Sequence, residues 1–522
     1  MPSPAPASSD AAAIALRRWT LVSAVLGSSM AFMDGTVVNV ALPAIQRSLD
    51  ATGADAQWII EAYALFLAAL LLVGGALGDR FGRKRVFLVG VVVFTATSAA
   101  CAAAQGAGQL IAARALQGIG AALLVPGSLA LLGANFPEAE RGRAIGTWSA
   151  FSGITAAIGP VVGGFLVDHF SWRWAFLLNV PIGVVLVFAC LARVPESRGE
   201  ASDGPVDIAG AVTATLGLAG VVFALIEAPT RGWSSASVAI AGAVGLAGLA
   251  AFVACEARVR EPMLPLHLFR DRDFAGANVL TLLLYAALGG GLYFVPLNLI
   301  QVQGYGATAA GAALLPFVAI MFVLSRWAGS LVDAVGAKIP LVVGPTIAAV
   351  GFALFARPGV GGSYWTTFFP AVCVLGLGMT ITIAPLTTTV MNALGESLAG
   401  TASGVNNAVS RAAGLLAIAA LGAVLAHVFE ARLQDGLDRS SLARSVARDV
   451  WLQHGKLGAI APPAGAASAV AREIHDLVGN AFVAGFRAVM LTGAGLALAS
   501  ALSAWWLISG RKPASDSKGH AS

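Results

Sequence analysis

The sequence predicts an all-α integral membrane protein with fourteen transmembrane helices, arranged as two six-helix bundles with two linker helices inserted between them. Three observations predict this fold class. The 522 residues are 57% hydrophobic and only 11% charged, with a mean hydropathy of +0.81, whereas soluble domains carry about 25% charged residues. Apolar stretches of bilayer length recur along the chain, and one loop pattern occurs twice, 254 residues apart. Too little polar surface exists to cover a water-soluble globule of this composition.

The apolar stretches have the length of about 20 residues that an α-helix needs to cross a bilayer. The fourteen predicted spans are residues 19–43, 57–77, 86–104, 109–133, 143–167, 174–192, 207–228, 235–255, 274–302, 309–332, 339–356, 364–391, 400–428 and 480–509. They and their short connections use nearly the whole chain, which excludes a large water-soluble catalytic domain. The one long connection, residues 429–480, is predicted to lie on the outer side.

Basic residues determine the predicted orientation. If both termini are cytoplasmic, the inner segments carry 18 lysines and arginines, and the short outer loops carry four, Arg47, Arg173, Arg231 and Arg357. Lysine and arginine accumulate on the cytoplasmic side of membrane proteins, so both termini are predicted to be cytoplasmic. The formal charge of +5 does not predict a nucleic-acid partner, because the basic residues lie between apolar runs and not on one solvated face.

Five positions of one inner loop recur in a second loop. The first set joins spans 2 and 3 and the second joins spans 10 and 11: Gly75, Leu77, Asp79, Gly82 and Lys84 match Gly329, Leu331, Asp333, Gly336 and Lys338. Duplicated halves are typical of transporters that rock about a central site. The repeat predicts six-helix bundles over residues 19–193 and 261–510, the second of which includes the outer loop 429–480. Spans 7 and 8 are then linker helices within 194–260, and residues 1–18 and 511–522 are cytoplasmic tails.

Several segments resemble the motifs of a known family. Residues 75–85 (GALGDRFGRKR) resemble the cytoplasmic signature loop of the major facilitator superfamily, and residues 159–164 (GPVVGG) resemble its antiport motif. Four further segments narrow the match: residues 33–43, 114–120, 172–183 and 403–411. Together they resemble the fourteen-span drug:proton antiporters of bacteria, over nearly the whole chain.

The resemblance implies a proton-coupled antiporter of the bacterial inner (plasma) membrane, functional as a monomer, that exports small amphipathic or cationic compounds by alternating access. It also implies a conformational gate formed by Gly75, Asp79, Arg80, Gly82, Arg83 and Asp333 in the repeated loops and by Gly159, Pro160, Gly163 and Gly164 in span 5. Small residues let helices approach closely, and a proline removes one backbone hydrogen bond and bends the helix. Two alternatives stay open: an uptake symporter of the same fold, against which the span 5 motif argues, and a membrane receptor without transport.

Ionisable side chains inside predicted spans are candidates for proton coupling, because each costs several kcal/mol unless it is paired or hydrated. Asp34 lies roughly 13 Å from the outer end of span 1, whereas Glu61 and Arg114 lie about 6–8 Å deep in spans 2 and 4. A Glu61–Arg114 pair is therefore geometrically allowed, and Asp34 is within plausible reach of the same arginine. Burial favours the neutral form of a carboxyl and a nearby arginine favours the charged form, so a conformational change can bind or release a proton. The alternatives are a structural hydrogen bond for Asp34 and simple hydration for Glu61.

Other polar residues inside the spans are candidates for contact with substrate. They are Asn39, Gln117, Asn298, Gln301, Asn406, Asn407 and Arg411. Hydrogen bonding between helices is the alternative for each amide.

The sequence contains no catalytic constellation. It lacks a GxxxxGK[ST] phosphate loop, a GxSxG nucleophile motif and an HExxH zinc motif, and its six histidines are far apart. We therefore expect neither an enzyme nor a bound metal or cofactor, and the expected partners are protons, a small-molecule substrate and the lipid bilayer.

Overall fold

The computed structural model describes residues 7–198, 207–259, 262–394 and 398–509. In these ranges, fourteen helices are long and apolar enough to cross a membrane, which confirms the predicted number of spans. The predicted tail 511–522 and the inner basic residue Arg260 lie outside the described ranges.

Helices account for nearly all of the described chain. The first nine are α1 (Ala7–Leu49), α2 (Gly53–Phe81), α3 (Arg83–Ala103), α4 (Ala107–Asn135), α5 (Glu138–His169), α6 (Trp174–Leu177), α7 (Asn179–Arg193), α8 (Ile208–Arg231) and α9 (Ala236–Glu256). The others are α10 (Arg272–Leu297), α11 (Ala307–Ala312), α12 (Leu315–Val335), α13 (Lys338–Phe355), α14 (Tyr364–Thr367), α15 (Phe369–Ala393), α16 (Ala399–Arg439), α17 (Arg444–Leu452) and α18 (Ser468–Leu507).

Three predicted spans are each divided into a short and a long helix: α6 with α7, α11 with α12, and α14 with α15. Prolines explain where the long helices begin. Pro181, Pro316 and Pro370 each lie in the first turn, where a residue without an N–H group loses no intrahelical hydrogen bond.

The predicted outer loop 429–480 is largely helical. α16 continues to Arg439, α18 begins at Ser468, and α17 and a 3₁₀ turn over His454–Ala459 lie between them. The hydropathy pattern does not reveal these extensions because their exposed residues are charged; Asp435 and Arg439, for example, form an ion pair of 2.6 Å one turn apart on α16.

The chain divides into two compact units. The first contains residues Met1–Met263, Leu299–Ala312 and Leu452–Ala461, and therefore helices α1 to α9 and α11. Its core contains Phe87 and Phe94 of α3, Leu124 of α4 and Leu186 of α7, all fully buried. The two linker helices, α8 and α9, belong to this unit, and α8 packs against both α2 and α9.

The second unit contains residues Leu264–Asn298, Ala313–Trp451 and Pro462–Ser522. Helices α10, α16 and α18 pack together in it, and α13 packs against α15 and α18. Phe352 of α13 is buried at this junction, where its ring lies against Gly291 of α10 and Gly493 of α18. A β-carbon at Gly291 would come within 2.6 Å of that ring, so glycine allows the two helices to approach.

The sequence repeat is matched by a repeat of backbone geometry. Gly82 ends α2 with φ +113° and Gly336 ends α12 with φ +78°, a region that favours glycine. Gly90 and Gly344 are also 254 residues apart. A β-carbon at either position would lie 2.9 Å from the carbonyl oxygen of a glycine in the facing helix, Gly120 in the first unit and Gly378 in the second. The corresponding helices of the two units therefore cross through equivalent small-residue contacts.

Candidate proton-coupling site

Helix α4 places Arg114 and Gln117 in the middle of the first unit. The two residues are three positions apart, so their side chains share one face of the helix, and both are fully buried. Glycines on α4 keep the neighbouring helices close: a β-carbon at Gly118 would lie 2.5 Å from the Tyr63 carbonyl oxygen of α2. This close packing excludes water from the arginine.

Arg114 makes directed contacts with three helices. Its Nη1 donates to Oδ2 of Asp34 on α1 and to Oε1 of Gln117 at 2.7 Å, and its Nε donates to the Ile59 carbonyl oxygen of α2 at 3.0 Å. The guanidinium group also lies over the Tyr63 ring, 4.2 Å from the ring centroid. A carboxylate, two further acceptors and an aromatic face compensate this buried cation in part for the loss of water, while its Nη2 has no hydrogen-bond partner among the described residues.

Asp34 accepts hydrogen bonds at both carboxylate oxygens. Its Oδ2 faces Arg114, and its Oδ1 accepts from Gln117 Nε2 and from Asn179 Nδ2, each at 3.0 Å. The residue is 1% exposed. Three donors, one of them cationic, thus converge on one buried carboxylate.

Ser98 of α3 connects the two amides behind Asp34. Its Oγ accepts from Gln117 Nε2 at 3.2 Å and from Asn179 Nδ2 at 3.0 Å, and its hydroxyl donates to the Phe176 carbonyl oxygen at 2.9 Å. Residues from α1, α3, α4 and α7 thus form one buried network. Ser98 and Asn179 were not predicted as site residues, although Asn179 lies in residues 172–183, one of the segments that resemble the family's motifs.

Glu61 of α2 is fully buried but does not join this network. Among the described residues, neither of its carboxylate oxygens has a hydrogen-bond partner. The pair that its depth allowed, Glu61 with Arg114, is therefore not formed; Arg114 contacts Asp34 instead. The alternative for Glu61, simple hydration near the membrane interface, is also wrong, because the side chain is fully buried. Trp58, one turn away on α2, packs on Phe223 of α8 with 6.0 Å between ring centroids, so the linker helix covers this side of α2.

The cavity candidates lie in different surroundings. Asn406 donates to Asn278 at 3.1 Å and to Thr281 at 2.7 Å, which joins α16 to α10, and Gln301 donates to Gln46 of α1 at 2.8 Å. For Asn406 and Gln301, the structure therefore shows interhelical hydrogen bonding, which was the alternative to contact with substrate. The remaining candidates differ in burial: Asn39 and Arg411 are half-buried, Asn298 is buried and Asn407 is exposed.

The gate candidates of the first repeated loop lie at the junction of α2 and α3. Asp79 forms an ion pair of 2.7 Å with Arg83, while Arg80 is exposed. The acceptor for the start of α3 is Glu196, which follows α7 and accepts from the Lys84 amide at 3.0 Å. A β-carbon at Gly82 would lie 2.8 Å from the Glu196 carboxylate, so glycine is required by space as well as by φ. Sequence reasoning did not identify Glu196. The gate candidate of the second repeated loop, Asp333, matches Asp79, and its side chain lies outside the described part of the structure.

The glycines of span 5 pack α5 against two neighbours. A β-carbon at Gly159 would lie 2.2 Å from Thr36 Oγ1, and one at Gly163 would lie 2.9 Å from Val37 Cγ1, both on α1. On the other side, a β-carbon at Gly164 would lie 2.4 Å from the Ala307 carbonyl oxygen of α11. Asp168 at the end of α5 accepts from the backbone amides of Ala307 at 3.0 Å and Thr308 at 2.8 Å. The span 5 motif is thus a close-packing surface.

Comparison with known proteins identifies the family. The model of the Major Facilitator Superfamily matches residues 24–418, which is more than half of the chain. The chain belongs to the major facilitator superfamily. This membership confirms the resemblance and, because it is a superfamily of membrane transporters, confirms that the protein is a transporter and not an enzyme.

Two relatives of this superfamily member are resistance proteins. It is 36% identical over 423 residues to the multidrug resistance protein Stp of Mycobacterium tuberculosis, covering 81% of this chain and 78% of that protein. It is 33% identical over 493 residues to the tetracenomycin C resistance and export protein of Streptomyces glaucescens, covering 93% and 90% of the two chains. The fold resembles that of a bacterial homologue of the human lysosomal transporter Spinster, with a TM-score of 0.65 at 15% identity over 94% of this chain and 96% of the other.

Proposed function

We propose that the protein is a proton-coupled antiporter that exports small amphipathic or cationic compounds, and thus a multidrug efflux transporter working by alternating access. The single observation that carries the proposal is the buried Asp34–Arg114 pair inside the first unit. Its relatives include a multidrug resistance protein and a resistance and export protein, which favours export over uptake. We place it in the bacterial inner membrane, with both termini cytoplasmic, as a functional monomer.

The pair converts a change of packing into a change of protonation. While Arg114 and the two amides contact Asp34, the ionised carboxylate is favoured; when they separate, the buried carboxylate binds a proton. For an uncharged substrate, each proton that enters across a potential of about 100 mV releases about 2.3 kcal/mol, enough to support a roughly fifty-fold substrate gradient. Exchange of one proton for a monovalent cation moves no net charge, so the pH gradient drives that exchange.

Glu61 supplies a second titrating group. An ionised carboxylate without donors or a counter-ion is strongly disfavoured in a water-free interior, so Glu61 is neutral and carries a proton in this conformation. Asp34 and Arg114 together have no net charge. The two carboxyls thus hold different protonation states at the same time, and a change of packing that exchanges their surroundings exchanges the proton.

The test is substrate-driven proton release from the purified protein in proteoliposomes, measured against pH. Asp34→Asn keeps the volume and the hydrogen-bonding capacity of the side chain but cannot titrate, so we expect it to abolish coupled proton release and leave the fold intact. Arg114→Ala leaves the carboxylate buried without its cation, and we expect Asp34 to stay protonated to higher pH.

Asp435→Asn is the matched control, since it removes an exposed aspartate from the polar end of α16. It should behave as wild type. Proton release by Asp34→Asn at the wild-type level would place the coupling site elsewhere, and absence of substrate-driven proton release from the wild-type protein across a panel of lipophilic cations would contradict the antiport proposal.

A further inference from the structure

We propose that Asn179 and Ser98 are positioning residues for proton coupling: they hold the amide donors in the orientation that keeps Asp34 ionised. The inference rests on the proposed function, since it assigns the control of a proton site. Neither residue exchanges a proton with substrate, and both act through Asp34.

The direction of every hydrogen bond in the network follows from one backbone carbonyl. The Phe176 carbonyl oxygen can only accept, so the Ser98 hydroxyl must donate to it, and Ser98 Oγ must accept from its other neighbours. The atoms that reach Ser98 Oγ are therefore the amide nitrogens of Gln117 and Asn179. An inverted amide would bring two acceptors together at each contact.

The same two nitrogens also face Asp34. Each amide donates one of its two N–H groups to Ser98 Oγ and the other to Asp34 Oδ1, at 3.0 Å from the carboxylate oxygen. The oxygen of Gln117 accepts from Arg114 Nη1, which holds that amide from the opposite end. Within the part of the chain that the structure describes, the groups hydrogen-bonded to the Asp34 carboxylate are therefore all donors, and a proton on Oδ1 would face donors and no acceptor.

Charged and titratable groups reach this network from several helices. α4 contributes Arg114, α2 contributes Tyr63 beside the arginine and also carries Glu61, and α3 contributes Cys101, whose Sγ lies 3.7 Å from Gln117 Oε1. α5 meets α1 through Gly159 and Gly163, which have no side chain. Asn179 is the contribution of α7. Among the described residues, it is therefore the one donor to Asp34 that comes from outside α4, and the packing of α7 on α1 controls its distance from the carboxylate.

A purely structural role would look like that of Asn278, a buried asparagine of α10 that accepts from Asn406 and contacts no carboxylate. Loss of either asparagine removes interhelical hydrogen bonds. Only loss of Asn179 also removes a donor from an acid. The two residues therefore form a matched pair for experiment.

The experiment measures the pH dependence of substrate-driven proton release in proteoliposomes, together with the infrared band of the protonated carboxyl that is absent from Asp34→Asn. For Asn179→Leu we expect the midpoint of both titrations to move to higher pH by about one unit, because a donor to the ionised form is lost. For Asn278→Leu we expect an unchanged midpoint, whatever its effect on the maximal rate.

Ser98→Ala keeps the inference testable if Asn179→Leu does not fold, since it removes one hydroxyl and little volume. Its midpoint should also move to higher pH, whereas the midpoint for Ser128→Ala, which removes a buried hydroxyl bonded to Ser28 at 2.7 Å, should not. Unchanged midpoints for both Asn179→Leu and Ser98→Ala, with wild-type coupling present, would overturn this inference alone. Absence of coupling in the wild-type protein would overturn the proposed function and this inference with it.

Discussion

At the scale of single residues, the site depends on which of two carboxyls the buried arginine contacts. Arg114 contacts Asp34, and this leaves Glu61 buried without a partner among the described residues. Removal of a buried carboxyl without a hydrogen-bond partner has a different consequence from removal of one that contacts a cation. The two acids can therefore be separated by experiment.

We expect Glu61→Gln to fold and insert as well as the wild-type protein or better, because the amide replaces a protonated carboxyl of nearly the same shape without a buried charge. Its thermal unfolding in detergent should occur at the same or a higher temperature, while the number of protons released per substrate falls. Asp34→Asn should instead lower the unfolding temperature, since it removes the charge that compensates Arg114. A lower unfolding temperature for Glu61→Gln would show that Glu61 is ionised and paired.

Sequence reasoning identified the residue types at this site and put both acids within plausible reach of Arg114, but it did not decide which of them contacts the arginine. Depth along a helix placed Glu61 and Arg114 at similar levels. Depth alone does not determine how each helix is rotated about its axis, and therefore not which side chains face each other. Ser98 and Asn179 are small polar residues in apolar helices, where the usual explanation is interhelical hydrogen bonding. Their role emerges only when four helices are packed together.

At the scale of helices, glycine patterns were the most informative part of the sequence. The small-residue spacing in span 5 predicted close packing, and the structure shows which neighbours are packed: α1 at Gly159 and Gly163, and α11 at Gly164. The breaks within spans 6, 10 and 12 were not predicted, because the short helix and the long helix on either side of each break form one continuous apolar stretch in the sequence. The helical ends of α16 and α18 were missed for the opposite reason, since they are polar.

We expect Gly159→Leu and Gly163→Leu to impair efflux strongly while membrane insertion stays close to that of the wild type. The new side chains would force α5 away from α1 without adding a buried polar group. Gly153→Leu is the control on the same helix, because a β-carbon at Gly153 would meet no atom within 4 Å. Drug efflux from everted vesicles measures the effect, and equal activity of all three variants would reduce the motif to ordinary packing.

At the scale of the whole molecule, the duplicated loop predicted two related halves, and glycines at equivalent positions have equivalent roles in both units. The repeat assigned residues 429–480 as a whole to the second half. Residues Leu452–Ala461 belong to the first unit, although the chain on either side of them belongs to the second. Lys456 pairs with Asp50 at 2.5 Å, and Leu457 lies against Gly53, where a β-carbon would come within 2.6 Å of Leu457 Cδ1. This segment is the least predictable part of the fold because its contacts are formed with residues about 400 positions away.

Leu457 has φ +55°, a backbone conformation that side chains other than glycine adopt at an energetic cost of about 1–3 kcal/mol. Its contact with Gly53 offsets that cost. Leu457→Ala loses the contact and keeps the strain, whereas Leu457→Gly loses the contact and relieves the strain. We therefore expect faster amide hydrogen exchange across residues 452–461 for Leu457→Ala than for Leu457→Gly. Lys456→Gln should have a smaller effect than either, because its partner Asp50 is 86% exposed and a solvated ion pair contributes about 0–1 kcal/mol. Equal exchange rates in Leu457→Ala and the wild-type protein would mean that this side chain does not hold the segment on the first unit, and that the ion pair or the backbone holds it instead.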